Sequence, residues 1–103
     1  MGKTINILAR AVSGKVEVKV SLIHPMESGQ RKDAKGKPIP AHFIQSVTAS
    51  RNGKALATAQ LGPAVAKNPT LAFRFAGGKQ GEKITVEWID NKGNKQADET
   101  TIT

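Results

Sequence analysis

The run His24-Pro25-Met26 and the histidine at position 42 hold the side chains best suited to chemistry beyond packing. Imidazole nitrogen and thioether sulfur both bind copper. His24, Met26 and His42 therefore form a candidate metal set, provided the polar stretch between Ile23 and Ile44 folds back on itself. The same residues have a structural reading. Pro25 ends a strand because it has no N–H for the ladder, and His24 hydrogen-bonds to the loop backbone. We take the structural reading as the expectation, with no metal and no cofactor.

Nothing else in the sequence assembles a catalytic set. No Ser/His/Asp spacing, Walker loop or dinucleotide fingerprint is recognisable. Gly77-Gly78 lacks the Lys-Ser or Lys-Thr that a phosphate loop places after its glycines, and reads as a hairpin. The chain contains no cysteine. Disulfides, a cysteine nucleophile, a zinc-thiolate centre and a blue-copper centre are thereby excluded. The expectation is a protein that is not an enzyme and has no catalytic residues.

Lys and Arg number 16 against 8 Asp and Glu, a net charge of +8 on 103 residues. Such a surface attracts an acidic partner. The cations are spread from Lys3 to Lys95, most densely at Arg31, Lys32, Lys35 and Lys37 around Asp33. A basic nucleic-acid-binding module is one alternative. Charge alone would make its binding weak and salt-sensitive. Phe73, Phe75 and Trp88 occupy apparent core positions and leave no stacking platform for bases. No apolar run approaches the roughly 20 residues of a membrane span. The apolar part of "MGKTINILARAV" is too short for an export signal, and Asn6 stands where a myristoylation motif wants Ser or Thr. Read without any relative, the default location is the cytoplasm.

The elements that must position these residues are strands. "VEVKVSL" places Val16, Val18, Val20 and Leu22 on one face, and "KITVEW" does the same with Ile84, Val86 and Trp88. Alternation of this kind marks strands with one buried face. Seven strands are predicted at about 3–9, 15–23, 42–51, 54–61, 70–76, 82–90 and 95–102. Asn52-Gly53 is a tight hairpin signal, and "DNKGNK" supplies another hairpin. "LGPAVAKNPT" is a longer crossover bounded by Pro63 and Pro69. The whole chain reads as one all-β domain, an immunoglobulin-like antiparallel sandwich, with an up-and-down or OB-like barrel as competitor. Ala55, Ala57 and Ala59 make the fourth strand thin on its apolar side. They either fill a narrow part of the core or form a flat surface on which another sheet can lie.

"HPMESGQRKDAKGKPIP" resembles the signature stretch of the SoxZ family of the bacterial sulfur-oxidation (Sox) system. The resembling positions are His24, Pro25, Met26, Ser28, Gly29, Arg31, Asp33, Gly36, Ile39 and Pro40, with Ser28 where the family usually shows Thr. "LGPAVAKNP" agrees at Leu61, Pro63, Ala64, Val65, Asn68 and Pro69, followed by the strand with Phe73, and "VEW" and "DNKGN" fit as well. The resemblance covers nearly the whole chain. It implies an immunoglobulin-like sandwich in a tight heterodimer with a SoxY-type subunit. That subunit carries sulfur on one cysteine of a flexible, glycine-flanked C-terminal arm. The present chain would be its non-catalytic companion in thiosulfate oxidation, docking transiently to Sox enzymes and binding neither nucleic acid nor membrane. It would act in the periplasm, exported with its partner. His24, Met26, Arg31, Asp33, Pro63 and Asn68 become candidates for partner or enzyme recognition. Arg31 is expected to pin the loop by pairing with Asp33 or a nearby carboxylate. A periplasmic copper-binding sandwich using His24, Met26 and His42 stands as the other alternative.

Overall fold

Alternating valines dictate the architecture. In a computed structural model that describes residues 4–103, the strands are β1 (Ile5–Val12), β2 (Lys15–Leu22), β3 (Ile44–Arg51), β4 (Lys54–Gln60), β5 (Thr70–Ala76), β6 (Lys83–Asp90) and β7 (Lys95–Thr101). All pairings are antiparallel. One sheet has the order β1-β2-β5 and the other β4-β3-β6-β7. This is an immunoglobulin-like sandwich in which the fourth strand has joined the second sheet, unlike the constant-type arrangement. No helix among the described residues is long and apolar enough to cross a membrane.

Six of the seven strands lie within two residues of the expected bounds. The first does not. It was expected over 3–9, and Lys3 lies outside the described residues. The strand continues to Val12 because Ser13 and Gly14 both take positive φ, 50° and 79°. Two successive left-handed residues make the tight turn whose twist suits a hairpin. Asn52 and Gly53 do the same, with φ 51° and 80°, at the turn that Asn-Gly announces.

The two inner faces meet in a core of Val16, Val18, Val20, Leu22, Ile44, Val47, Ile84, Val86, Trp88 and Ile102, all buried. Each such Val, Leu or Ile contributes about 1.5–3 kcal/mol by leaving water. Register aligns them: Val18 lies opposite both Ala9 and Phe73, and Val47 opposite both Ala59 and Trp88. On the β1 side the sheets are laced together by the C-terminal residues. Ala11 N–H donates to the Thr103 carbonyl at 2.9 Å, and Thr103 N–H donates to the Ala9 carbonyl at 3.0 Å. The molecule is elongated, 53 × 23 × 20 Å. An eight-residue strand spans only about 27 Å, so the connections at the strand ends supply much of the length.

Gly78 follows β5 at a point where a side chain has no room. A Cβ there would overlap Val16 Cγ2 and lie 2.8 Å from Phe75 Cε2. Both neighbours belong to the hydrophobic core or pack against it. Gly78→Ala should therefore destabilise the fold by about 1–3 kcal/mol through overpacking, measured as a lower urea midpoint at unchanged slope. An unchanged midpoint would show that the packing yields at no cost.

Candidate functional site

Asp90 is the next inward position after Ile84, Val86 and Trp88, so the alternation of β6 delivers a carboxylate to the end of the core. Its side chain is fully buried. Five hydrogen bonds converge on it. Oδ2 accepts from His24 Nε2 at 3.2 Å, His42 Nε2 at 2.7 Å and Asn94 Nδ2 at 3.0 Å. Oδ1 accepts from the backbone N–H of Lys92 at 3.0 Å and of Asn94 at 2.8 Å. Burial pushes the Asp90 carboxyl up, but the bonds from Asn94, His24 and His42 outweigh it and hold the group far below the usual carboxylate range.

The loop between β2 and β3 is thereby closed at its base. His24 Nδ1 accepts the Met26 N–H at 3.1 Å, which leaves its proton on Nε2 facing Asp90. The two imidazoles meet edge-on with centroids 4.5 Å apart, and His24 meets Trp88 likewise at 5.1 Å. Burial, partly opposed by the Asp90 bond, lowers the His24 pKa, and the neighbouring His42 lowers it further. Met26 is buried with φ 48°, a conformation uncommon outside glycine and asparagine. Its sulfur accepts the Ile44 N–H at 3.3 Å. A backbone bridge joins Glu27 and His42 in both directions, at 2.6 and 2.9 Å. Asn91 completes the base by accepting the Phe43 N–H and donating to the Ala41 carbonyl.

Farther out, the loop becomes a short irregular hairpin. Ile39 N–H donates to the Arg31 carbonyl, and Asp33 N–H to the Lys37 carbonyl. Asp33 Oδ1 accepts the N–H of Lys35 and of Lys37. Asp33 thus builds the tip and leaves Arg31 to another acid. Arg31 grips Glu27 with two bonds, Nε to Oε2 at 3.0 Å and Nη2 to Oε1 at 2.6 Å. The hydrogen bond from Arg31 lowers the Glu27 pKa. Gly29, at φ 89°, sits so close to Ala41 that a Cβ would come within 3.2 Å of its Cβ.

The β4–β5 connection joins the same site. Asn68, with φ 52°, clamps His24 by its backbone: His24 N–H donates to Asn68 Oδ1 at 3.0 Å, and Asn68 N–H to the His24 carbonyl at 3.1 Å. The two stretches "HPMESGQR" and "AVAKN" come together across a groove of about 370 Å³, lined by Met26, Glu27, Ser28, Arg31, Val65 and Lys67 among others. Of the six predicted recognition residues, His24, Met26, Arg31 and Asn68 thus gather around one loop base. Asp33 holds the tip, and Pro63 is exposed on the connection with no hydrogen bond to this cluster among the described residues. Sequence reasoning read Asp90, Asn91 and Asn94 as a hairpin and as part of the family resemblance, and gave them no place in the site. Counting inward positions along β6 was the signal that could have found Asp90.

His24, His42 and Asp90 place potential ligand atoms within 4.8 Å of one another. Two imidazoles and a carboxylate are a chemically sound set for a divalent ion. The set differs from the expected His-Met-His combination, because the Met26 sulfur is turned to Ile44 N–H. A carboxylate offers about four lone-pair positions, and Asp90 already takes five hydrogen bonds. An ion would have to displace both histidine bonds, which in this structure fasten the base of the loop. Titration with Cu(II) or Zn(II) is expected to show no stoichiometric uptake, and binding lost in His42→Ala would contradict this. Asp90→Ala should cost at least about 1–3 kcal/mol, the penalty for a buried donor left without its acceptor. Met26→Leu should cost about 1–3 kcal/mol, since Ile44 N–H loses its acceptor. Acid should loosen the fastener. His24 and Asp90 both have folded pKa values below their ordinary 6.5 and 3.8. Their contributions are therefore complete above the unfolded values and decline in turn as pH falls below each. The urea midpoint should drop in two stages on acidification, and Asp90→Asn should remove the lower one.

No curated protein matches this chain. Among solved structures, a hypothetical protein from Pyrococcus horikoshii aligns with TM-score 0.69 at 16% identity, covering 98% of this chain and 88% of that one. A superoxide reductase (neelaredoxin) from Ignicoccus hospitalis aligns with TM-score 0.65 at 18% identity, covering 98% and 80%. The reduced superoxide reductase from Archaeoglobus fulgidus aligns with TM-score 0.60 at 24% identity, covering 96% and 86%. At these identities the likeness is one of fold. The family described as sulphur oxidation protein SoxZ matches residues 5–101, from the start of β1 to the end of β7. With both signature stretches lining one groove and the match spanning every strand, the chain belongs to the SoxZ family.

Proposed function

We propose that this chain is the thiol-free subunit of a two-chain sulfur carrier. It binds and stabilises a SoxY-type subunit, whose C-terminal cysteine arm carries the sulfur intermediate of thiosulfate oxidation, and it helps dock the pair to successive Sox enzymes. The observation that carries this reading is the family match over residues 5–101 in a chain without cysteine. Covalent carriage needs a thiolate, so that task falls to the companion. We further infer that the pair works in the periplasm.

The arrangement of charge supports a docking role. In sequence the cations run from Lys3 to Lys95, densest between Arg31 and Lys37. Strand alternation sorts them: Arg10, Lys15, Lys19 and Arg74 share the outer face of the β1-β2-β5 sheet with only Glu17 against them. On the outer face of the other sheet, Lys83 and Lys95 are offset by Glu87 and Glu99. A one-sided basic face steers acidic enzyme surfaces toward it, and encounter is fast and weak enough for repeated exchange. All four aromatic residues are buried or half-buried, which gives the nucleic-acid reading no base-stacking surface. The loop between β2 and β3 acts as a semi-rigid recognition element. Its bonds to Glu27, His42 and Asp90 hold it in one shape, and Pro25, Pro38 and Pro40 limit its freedom.

Co-expression with a SoxY-type subunit should yield an equimolar complex under native conditions, and the isolated chain should turn over no sulfur compound. Unaided turnover, or failure to retain that subunit, would overturn the proposal. Arg31→Ala should weaken enzyme or partner binding while leaving the fold intact, because it frees Glu27 at the groove. Unchanged affinities in titrations against both would remove the loop from the recognition surface.

A further inference from the structure

The sandwich is laced along one lateral seam and open along the other. Thr103 joins β1 on the first side. On the second, β4 and β5 are each the last strand of their sheet. The inward-facing Leu71, Phe73 and Phe75 of β5 stay half-buried there. The facing strand covers them only in part, with Leu56 packed against the core beside the small Ala57 and Ala59. Ala57 and Ala59 share the inner face with Ala49 and Val47, yet Ala57 is exposed. At one end of the seam the Arg51 guanidinium lies 5.4 Å above the Phe75 ring, and its Nη1 is buried without a hydrogen-bond partner. Buried donors are seldom left unpaired.

We propose that this β4–β5 seam is the seat of the SoxY-type partner, an acidic chain that lays an extended, alternately apolar segment across it and offers a carboxylate or carbonyl to Arg51. The proposal rests on the heterodimer reading above. Both bordering strands have free edges able to pair with an added strand. β5 carries a single charge over seven residues and no proline, so it lacks the usual protection of a solvent-facing edge. Charge selects the occupant. Neither β4 nor β5 contains Asp or Glu, and Arg51 and Lys54, cross-strand partners on β3 and β4, sit at one end of the seam. A second copy of this chain, itself +8, would set like charges against one another. An acidic partner would neutralise them and cover the phenylalanines.

The test is calorimetric titration of the folded chain with a SoxY-type subunit, alongside amide hydrogen exchange of the complex. Ala57→Glu introduces bulk and a repelling charge at an exposed position, and should weaken binding about a hundredfold or more. Lys95→Gln, on β7 at the far edge of the sheet from β4, should change affinity less than about threefold, as expected for a distant site. Complex formation should protect the edge amides of β4 and β5 and leave those of β1 unchanged. If the wild-type pair forms and Ala57→Glu binds as tightly, the seam assignment fails while the heterodimer reading stands. If the wild-type pair never forms, both fail. A wild-type self-dimer dissolved by Ala57→Glu would give the seam to a second copy and overturn the proposal.

Discussion

One buried carboxylate organises the functional end of this molecule. Asp90 has no access to water, so its charge is compensated wholly by hydrogen bonds. Those bonds come from three separate places: the end of β2, the start of β3 and the β6–β7 turn. Remove the acceptor and the two histidines have nothing to face. The loop between β2 and β3 then loses its base, and the Asn68 clamp, which holds the same histidine by its backbone, loses its purpose.

The consequence for function is rigidity where a connection would ordinarily move. Long loops are usually the least ordered part of a domain. Here the backbone bridge between Glu27 and His42, the paired bonds of Arg31 to Glu27 and the tip built on Asp33 leave little freedom. A preorganised surface loses less entropy on binding. That suits the recognition role proposed for the loop. Buried His24 and half-buried His42, which first suggest a metal, brace the loop through Asp90.

Two further surfaces differ in character. The basic outer face of the β1-β2-β5 sheet is charged and flat, suited to fast, reversible encounter. The β4–β5 seam is apolar, suited to a lasting contact. The distinction follows from position within the sandwich. Outward residues of β2 and β5 are held in solvent, whereas the inward phenylalanines of β5 stay half-buried because β4 sets only Leu56 and two alanines toward the core.

What the sequence determined by itself is local. Valines two apart on β2 and the Ile84-Val86-Trp88 series on β6 declare buried faces because side chains alternate along a strand. Asn52-Gly53 declares its turn because few residue pairs accept two positive φ values, and Ser13-Gly14 escaped notice because serine is a weaker signal for the same geometry. The absence of cysteine and the two signature stretches were equally legible. Tertiary structure alone decided the rest. Asp90 and His24 are 66 residues apart, and nothing in the neighbourhood of either names the other. Arg31 has Asp33 nearer in sequence, yet Asp33 is consumed by backbone N–H groups, so Glu27 receives the guanidinium. The three alanines expected on one face do not share it, because a bulge at Ala49 and Ser50 sets Ala55 opposite Ser50, apart from Ala57 and Ala59, and which seam is laced depended on where Thr103 lands. Alternation is a property of neighbours along the chain, whereas lateral order and closure are settled by contacts between residues far apart in it.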